Sequence, residues 1–315
     1  MSATISKNIV QAATLLREGE VVAIPTETVY GLAANALNAD AVVKIFSIKN
    51  RPHFDPLIVH ISSLDKVHDL VLDFPSKAET LAKKFWPGPL TLVLKKRDII
   101  PDIVSSGLDT VGIRMPDHGM TQELLGQLDF PLAAPSANPF GYISPTSAEH
   151  VMKQLGEKIP MILDGGNCRV GLESTIVDCT SHIPVILRLG GITEEQITAC
   201  IGEVTVMTTS GSNPQAPGML LSHYAPHKKI IVGVIKNLLA KHSGKKLAIL
   251  SFEDEYLRYR NYILSEKADL SEAAKNLFAA LRELDNSDAE IILAEWVPNV
   301  GIGKAINDKL RRASS

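Results

Sequence analysis

Short apolar runs, each ending abruptly on a polar, loop-forming cluster, recur along the first two-thirds of the 315-residue chain. "VVAIP" gives way to "TETVYG" and "PLAAP" to "SANPFGYISPT", while "VGIRMP" ends on Arg114 and "VILRLGG" on Arg188 before two glycines. Runs this short and this rich in β-branched residues read as buried strands. "LIVHI", "LTLVLK", "TVGIRM", "MILD", "STIVDC" and "PVILRL" belong to the same class. In open α/β sheets ligands bind outside the carboxyl ends of strands. Hydroxyls, amides and arginines gathered there suit a polar, anionic ligand.

Segments of helical period separate these runs. Ser6 is placed to cap a helix with Ile9, Ala13 and Leu16 on one face and Gly19 at its end, and Asp40 to cap one carrying Val43 and Phe46. "SKAETLAKKFW" reads as a helix closed by Pro87-Gly88, and further helices are expected at 119–128, 146–155 and 193–201. Residues 1–207 are thus expected to form an α/β (α+β mixed) domain with some antiparallel strands. Residues 208–228, including "TTSGSNPQAPGMLLSHYAP", have no sustained period and read as a linker or functional loop. Alternation resumes over 229–315, with strands at "KIIVGVI", "KLAILSF" and "EIILAEWV". A helix capped by Asp269 or Ser271 carries Ala273, Leu277, Ala280, Leu281 and Leu284 on its apolar side, and "GIGKAINDKLRRASS" closes the chain as a helix. This reads as a small, separate α/β domain.

Charge and motif content exclude several function classes. The net charge of −3 provides no overall field for nucleic acid or an anionic membrane, so any anion site must be local. Cys168, Cys179 and Cys200 are odd in number and form no C-x-x-C pair, against a disulfide framework or thiolate zinc site. With no signal-peptide pattern and no apolar run of roughly 18 residues, a cytoplasmic protein is expected. The P-loop, the G-x-G-x-x-G turn and the G-x-S-x-G elbow are all missing. Pro226 between His223 and His227 argues against a helical metal pair.

The candidate residues each have a plain structural reading too. Lys49 and Arg51 lie at a helix C-terminus, where the dipole favours cations in any case. Thr26, Glu27 and Thr28 suit a turn. Arg114 and Arg188 suit strand ends whose side chains reach for solvent. Ser136 and Asn138 suit loop geometry. An anion site needs all of them at one place; the structural reading needs each separately.

Seven blocks in order, "IPTETVYGLAANA", "KNRPHFDPLIVHI", "WPGPLTLVL", "GLDTVGIRMPDH", "APSANPFGYISPT", "LDGGNCRVGLESTIVD" and "ILRLGGIT", closely resemble the YrdC-like threonylcarbamoyl-AMP synthase family over about residues 5–206. "APGMLLSHYAPHKKI" and the C-terminal α/β segment after it resemble that family's two-domain branch. The resemblance implies a twisted mixed sheet with flanking helices, plus a small C-terminal Rossmann-like α/β domain. It also implies a reaction in which L-threonine, bicarbonate or carbon dioxide, and ATP give threonylcarbamoyl-AMP and pyrophosphate. A partner transferase then modifies a tRNA adenosine beside the anticodon.

The family's K-x-R and S-x-N pairs match Lys49, Arg51, Ser136 and Asn138, with Ser144, Arg188 and Tyr224 also on the ATP side and Mg²⁺ sharing the phosphate charge. Thr26, Tyr30, His60, Thr110, Arg114 and Ser174 are implied for threonine. Arg114 is the choice for the carboxylate, because a guanidinium grips both oxygens. No general base is identified. The element Ser222, Tyr224, Ala225, Pro226 resembles part of a lid, with a mere tether as the alternative. His53 and Phe54 receive no role. Ala33 stands where the family more often has glycine, which matters only if φ there is positive.

Two rival readings remain. A double-stranded RNA or tRNA-binding module is disfavoured by the net charge and by scattered aromatics. A related carbamoyl-transfer enzyme with another acceptor is the second. The stretch before Ser6 carries no acylphosphatase-like or zinc-finger segment, which argues against the larger hydrogenase-maturation type.

Overall fold

A computed structural model describes residues 2–209, 214–220 and 223–315. The apolar runs form most of the strands β1 (Thr4–Ser6), β2 (Val22–Ile24), β3 (Gly31–Asn35), β4 (Ile58–His60), β5 (Leu90–Lys95) and β6 (Thr110–Arg114), with β1 and β3 added to those expected from sequence. They continue as β7 (Leu132–Ala133), β8 (Met161–Leu163), β9 (Thr175–Asp178), β10 (Val185–Arg188) and β11 (Thr205–Val206). Together they build one eleven-stranded sheet in the order β1-β8-β2-β3-β7-β4-β6-β5-β9-β10-β11. Parallel pairs such as β4/β6 and β5/β9 alternate with antiparallel pairs such as β5/β6 and β9/β10, so the sheet is mixed.

Helices α1 (Ile9–Arg17), α2 (Ala39–Lys49), α3 (Val67–Leu70), α4 (Ser76–Phe85), α5 (Asp102–Ser105), α6 (Gly119–Gln127), α7 (Ala148–Leu155) and α8 (Glu194–Ile201) connect these strands. Period-two alternation divides the core. Val22 and Ile24 pack with Ala12, Ala13 and Leu16 of α1 and Leu124 of α6. Ala23 faces the layer that holds Ile45 of α2, Leu81 of α4 and Val151 of α7. Strands covered on both sides read as unbroken apolar runs.

Three local expectations are corrected. Asn38 caps α2, accepting from the amides of Asp40 and Ala41, and Asp40 sits in the first turn where its charge suits the dipole. Asn8 caps α1, and Ser6 belongs to β1, a strand the sequence did not reveal. Val43 is exposed, because Ala41, Val42, Ile45 and Phe46 form the buried face of α2. Ala33 lies buried in β3 and is absent from the positive-φ residues, so its β-carbon is accommodated.

The C-terminal part forms a second sheet of β12 (Lys229–Val232), β13 (Leu247–Ser251), β14 (Arg260–Ile263) and β15 (Ile291–Ala294), ordered β12-β15-β13-β14. All its pairings are parallel, and α9 (Ile235–Lys241), α10 (Leu270–Asp285) and α11 (Gly303–Ala313) accompany it. Asp269 caps α10. Its core is not separate: Val29, Ile143, Leu172 and Tyr224 pack in one cluster with Leu277, Phe278 and Ile306. Ala216 and Met219 close over Ile58, Val93, Ile176 and Leu187, covering a sheet face where no helix lies against that cluster.

Candidate active site

α2 ends at Lys49, and Asn50 turns the chain with φ 52°. The turn leaves Lys49 inside the fold. Its amine donates to the carbonyls of Ser136 (2.6 Å) and Asn138 (2.5 Å), and the Phe140 amide donates back to the Lys49 carbonyl (2.9 Å). The K-x-R and S-x-N segments are therefore one folded unit. Burial, with Arg51 nearby, holds the Lys49 amine well below the usual lysine range.

Arg51 donates through Nε to the Asp55 carbonyl (3.0 Å) and through Nη2 to the Pro56 carbonyl (2.8 Å). The same Nη2 pairs with the Asp55 carboxylate at 3.0 Å. Arg188 ends β10 next to a register shift between Ile186 and Arg188, a place where a bulge redirects a side chain. Its guanidinium donates to the Ser174 carbonyl (3.0 Å), the Ser174 hydroxyl (2.9 Å) and the Pro217 carbonyl (3.2 Å).

In the β4/β6 pair His60 lies opposite Arg114. Arg114 Nη2 donates to Thr28 Oγ1 (2.8 Å) and pairs with Glu27 at 2.8 Å, and both side chains are buried. Glu27 also accepts from the Asp117 amide (3.1 Å). Arg114 Nε is buried without a hydrogen-bond partner among the described residues. Burial, and then Arg114, push the His60 imidazole down to about 3, so it is neutral at neutral pH. His223 is held neutral the same way, by burial and then Arg51 and Lys49.

A cavity of about 50 Å³ lies among these groups, lined by Lys49, Arg51, His60, Arg114, Ser136, Asn138, Glu173 and Arg188. Ile58 and His60, two residues apart on β4, share its wall, so it rests against a face of the sheet and not only outside the strand ends. Pro217, Gly218 and His223 close it. Gly218 has φ +84°, and a β-carbon there would stand 2.9 Å from the Tyr224 hydroxyl and 3.0 Å from Arg188 Cδ. Only glycine allows the segment to approach so closely. Sites for drug-sized ligands measure roughly 300–1,000 Å³, so the observed arrangement is a closed one.

The structure gathers most of the residues expected from sequence, at different distances. Lys49, Arg51, His60, Arg114, Ser136, Asn138 and Arg188 line the cavity. Thr26 stands behind, its hydroxyl 2.8 Å from that of Thr28. Ser174 touches Arg188, and Ser144 donates to Glu173 at 2.7 Å. Tyr224 is fully buried beside Gly218 and stacks on Phe278 at 5.4 Å. Ser222 lies outside the described residues.

Two residues are not brought in. Thr110 begins β6 opposite Lys95, whereas Arg114 ends that strand, about 13 Å further along at the usual rise. The Tyr30 hydroxyl is used elsewhere, donating to the Gly166 carbonyl (2.8 Å) and accepting from the Gly165 amide (3.2 Å). Sequence reasoning also missed the buried carboxylates Asp55 and Glu173, and the pairing of Glu27 with Arg114, that balance the cations. It missed His223, and Lys309, whose amine lies 3.9 Å from Glu173. Nothing in the sequence signalled them: "GKAINDKLRRA" of α11 has few apolar residues and reads as a surface helix, whereas most of it is buried.

A family model described as "Telomere recombination" matches residues 14–190, and one described as "Threonylcarbamoyl-AMP synthase, C-terminal domain" matches 192–315. The chain is 45% identical to threonylcarbamoyl-AMP synthase of Pyrococcus abyssi, over 96% of this chain and 93% of that one. It is 45% identical to the Bacillus subtilis protein of the same name, over 99% and 94%. The crystal structure of P. abyssi Sua5 complexed with L-threonine superposes with a TM-score of 0.92 at 42% identity, covering 99% of this chain and 97% of that chain.

Proposed function

This chain belongs to the threonylcarbamoyl-AMP synthase family, and we propose that it joins L-threonine, carbon dioxide (or bicarbonate) and ATP into threonylcarbamoyl-AMP, releasing pyrophosphate. The amine of threonine adds to carbon dioxide and loses a proton. A carbamate oxygen then attacks the α-phosphorus, and the bond to the β-phosphate oxygen breaks. Such a step depends mainly on positioning and charge stabilisation. The observation that carries the reading is the gathering of Lys49, Arg51, Arg114 and Arg188 around one cavity of a chain whose net charge is −3.

Lys49, Arg51 and Arg188, with Ser136, Asn138, Ser144 and Tyr224, serve the nucleotide. The first two stabilise charge on the leaving pyrophosphate. Arg114 takes the threonine carboxylate, and neutral His60, with Thr26 and Ser174, shapes the rest of that pocket. Mg²⁺ enters bound to ATP and shares the phosphate charge with Lys49 and Arg51. Residues 214–220 and Tyr224 act as a lid rather than a tether: a lid has to open for ATP, and once closed it excludes water from the mixed anhydride. The product then passes to a transferase that acts on tRNA. No helix among the described residues is long and apolar enough to cross a membrane.

An RNA-binding role without catalysis fits less well. The four cations are at most 7% exposed, too buried to neutralise a duplex backbone. The deciding experiment is pyrophosphate release from MgATP with threonine and bicarbonate omitted in turn, with mass detection of the adenylate. Release that needs both co-substrates is expected. Release without threonine, or none from folded protein, would overturn the reading.

A further inference from the structure

α11 buries polar side chains where a surface helix would expose them: Asn307, Asp308, Lys309 and Arg312 are all buried. Lysine is almost never fully buried without a partner, yet Lys309 is 0% exposed. Its amine donates to the Leu189 carbonyl (2.9 Å), stands 3.5 Å from Asp308 Oδ2 and 3.9 Å from Glu173 Oε2, and lies 5.0 Å from the centre of the Tyr224 ring. Asp308 already has its own cation in Arg312, at 3.0 Å. Glu173 Oε2 is buried with no hydrogen-bond partner among the described residues, and its ion-pair partner among them is Lys309.

Three of these contacts lead to one half of the catalytic site. Leu189 follows Arg188. Glu173 accepts the hydroxyl of Ser144 through its other oxygen. Tyr224 is itself a nucleotide-side residue. None of the contacts reaches Thr26, His60 or Arg114, and the network borders the threonine side only through Ser174, which accepts from Arg188. The neighbouring Arg312 donates to the carbonyls of Leu220 (2.5 Å) and Thr208 (2.6 Å), so the same helix also grips the segment that closes the cavity.

We propose that Lys309 is a positioning residue for the nucleotide half of the site, through which the C-terminal helix holds Arg188, Ser144 and Tyr224 in register. One ammonium ties a strand end, a buried carboxylate and an aromatic ring to a single point. The inference rests on the assignment of ATP to this cavity. It gives the second sheet a defined part in the reaction: the catalytic half-site is completed by a residue more than a hundred positions beyond Arg188.

The test uses the full chain with Lys309→Met, which keeps the length of the side chain and removes the charge, and with the double variant Lys309→Met/Glu173→Gln. Removing both charges avoids leaving a lone buried carboxylate, so the double variant remains folded even where the single one does not. Pyrophosphate release is measured against ATP and threonine separately, and threonine binding by calorimetry. In the double variant, compared with Glu173→Gln alone, the KM for ATP is expected to rise about tenfold, the size of one lost charge-assisted contact, with a clearly smaller loss of threonine affinity. Lys309→Arg should recover part of the loss. An unchanged KM for ATP in the folded double variant would overturn the role, and so would an equal loss for both substrates, which marks mere structural damage. A wild-type protein that releases no pyrophosphate would instead remove the ATP assignment, and the proposal with it.

Discussion

The Lys49 amine donates to the carbonyl oxygens of Ser136 and Asn138, at 2.6 and 2.5 Å, and so fastens two short motifs far apart in the chain. The lysine orders the loop that carries the serine and asparagine, and it also presents charge to the cavity. Lys49→Met should therefore do two things. Turnover should fall by on the order of a hundredfold or more, as when one stabilising donor is lost. Stability should fall by about 1–3 kcal/mol, because two buried carbonyls lose their donor. Denaturant unfolding beside steady-state pyrophosphate release checks both. A variant with full activity would end the phosphate role.

Arg114 and Glu27 make the corresponding prediction for threonine. Their buried pair at 2.8 Å fixes the guanidinium plane, while Nε has no hydrogen-bond partner among the described residues. Arg114→Gln should raise the threonine dissociation constant on the order of a hundredfold, because a guanidinium gripping both carboxylate oxygens makes two charge-assisted contacts. Glu27→Gln still accepts from the Asp117 amide and should raise it only about tenfold, by loosening the guanidinium. Calorimetry on both variants tests the order. Threonine affinity unaffected by Arg114→Gln would assign the carboxylate to another cation.

Most strands and most helices were legible in sequence because each depends on local pattern, although β1, β3, β11 and β14 were not, and the K-x-R and S-x-N residues were picked out by resemblance to a family. What stayed hidden depends on contacts between distant segments. Glu27 looks like a turn residue until β6 brings Arg114 to it. Glu173 looks like a loop residue until Ser144 and Lys309 reach it. Residues 214–220 have no period because only Ala216 and Met219 are needed to cover Ile58 and Leu187. The caps were misplaced by two residues at Asn8 and Asn38 because serine, asparagine and aspartate compete for the same position. Thr110 and Arg114 fall in one block of sequence, yet they occupy opposite ends of one strand.

His60 makes stability depend on pH. Burial and Arg114 lower its pKa from 6.5 to about 3 in the folded protein, whereas the unfolded chain has the ordinary value. Between these values the unfolded state binds the extra proton. The contribution is fully present above about pH 6.5 and is lost as pH falls toward 3, with a slope of about 1.4 kcal/mol per pH unit for one histidine. His150, lowered to about 4 by burial and then Arg282, adds in the same direction. Unfolding curves of wild type and His60→Gln at several pH values should converge as pH drops from 6.5 to 4. Parallel curves would mean that His60 takes up its proton as readily in the folded protein as in the unfolded chain.

Closure of the cavity gives the last prediction. Met219 is fully buried, packed with Ala216 against Ile58, Val93, Ile176 and Leu187. Truncating a buried methionine costs roughly 2–5 kcal/mol, and here the loss falls on the contact that holds the segment down. If the segment is a lid, Met219→Ala shifts it toward open forms while both sheets keep their own cores. Global unfolding should then move little, pyrophosphate should still be released, and more of the adenylate should be lost to water for each pyrophosphate formed. The ratio of adenylate to pyrophosphate, followed by mass detection over time, reads this directly. A tether behaves differently, because the ratio stays at the wild-type value whatever happens to the rate. A lowered ratio in Met219→Ala that Met219→Leu restores would fix the lid role on apolar packing, since leucine nearly preserves the buried volume.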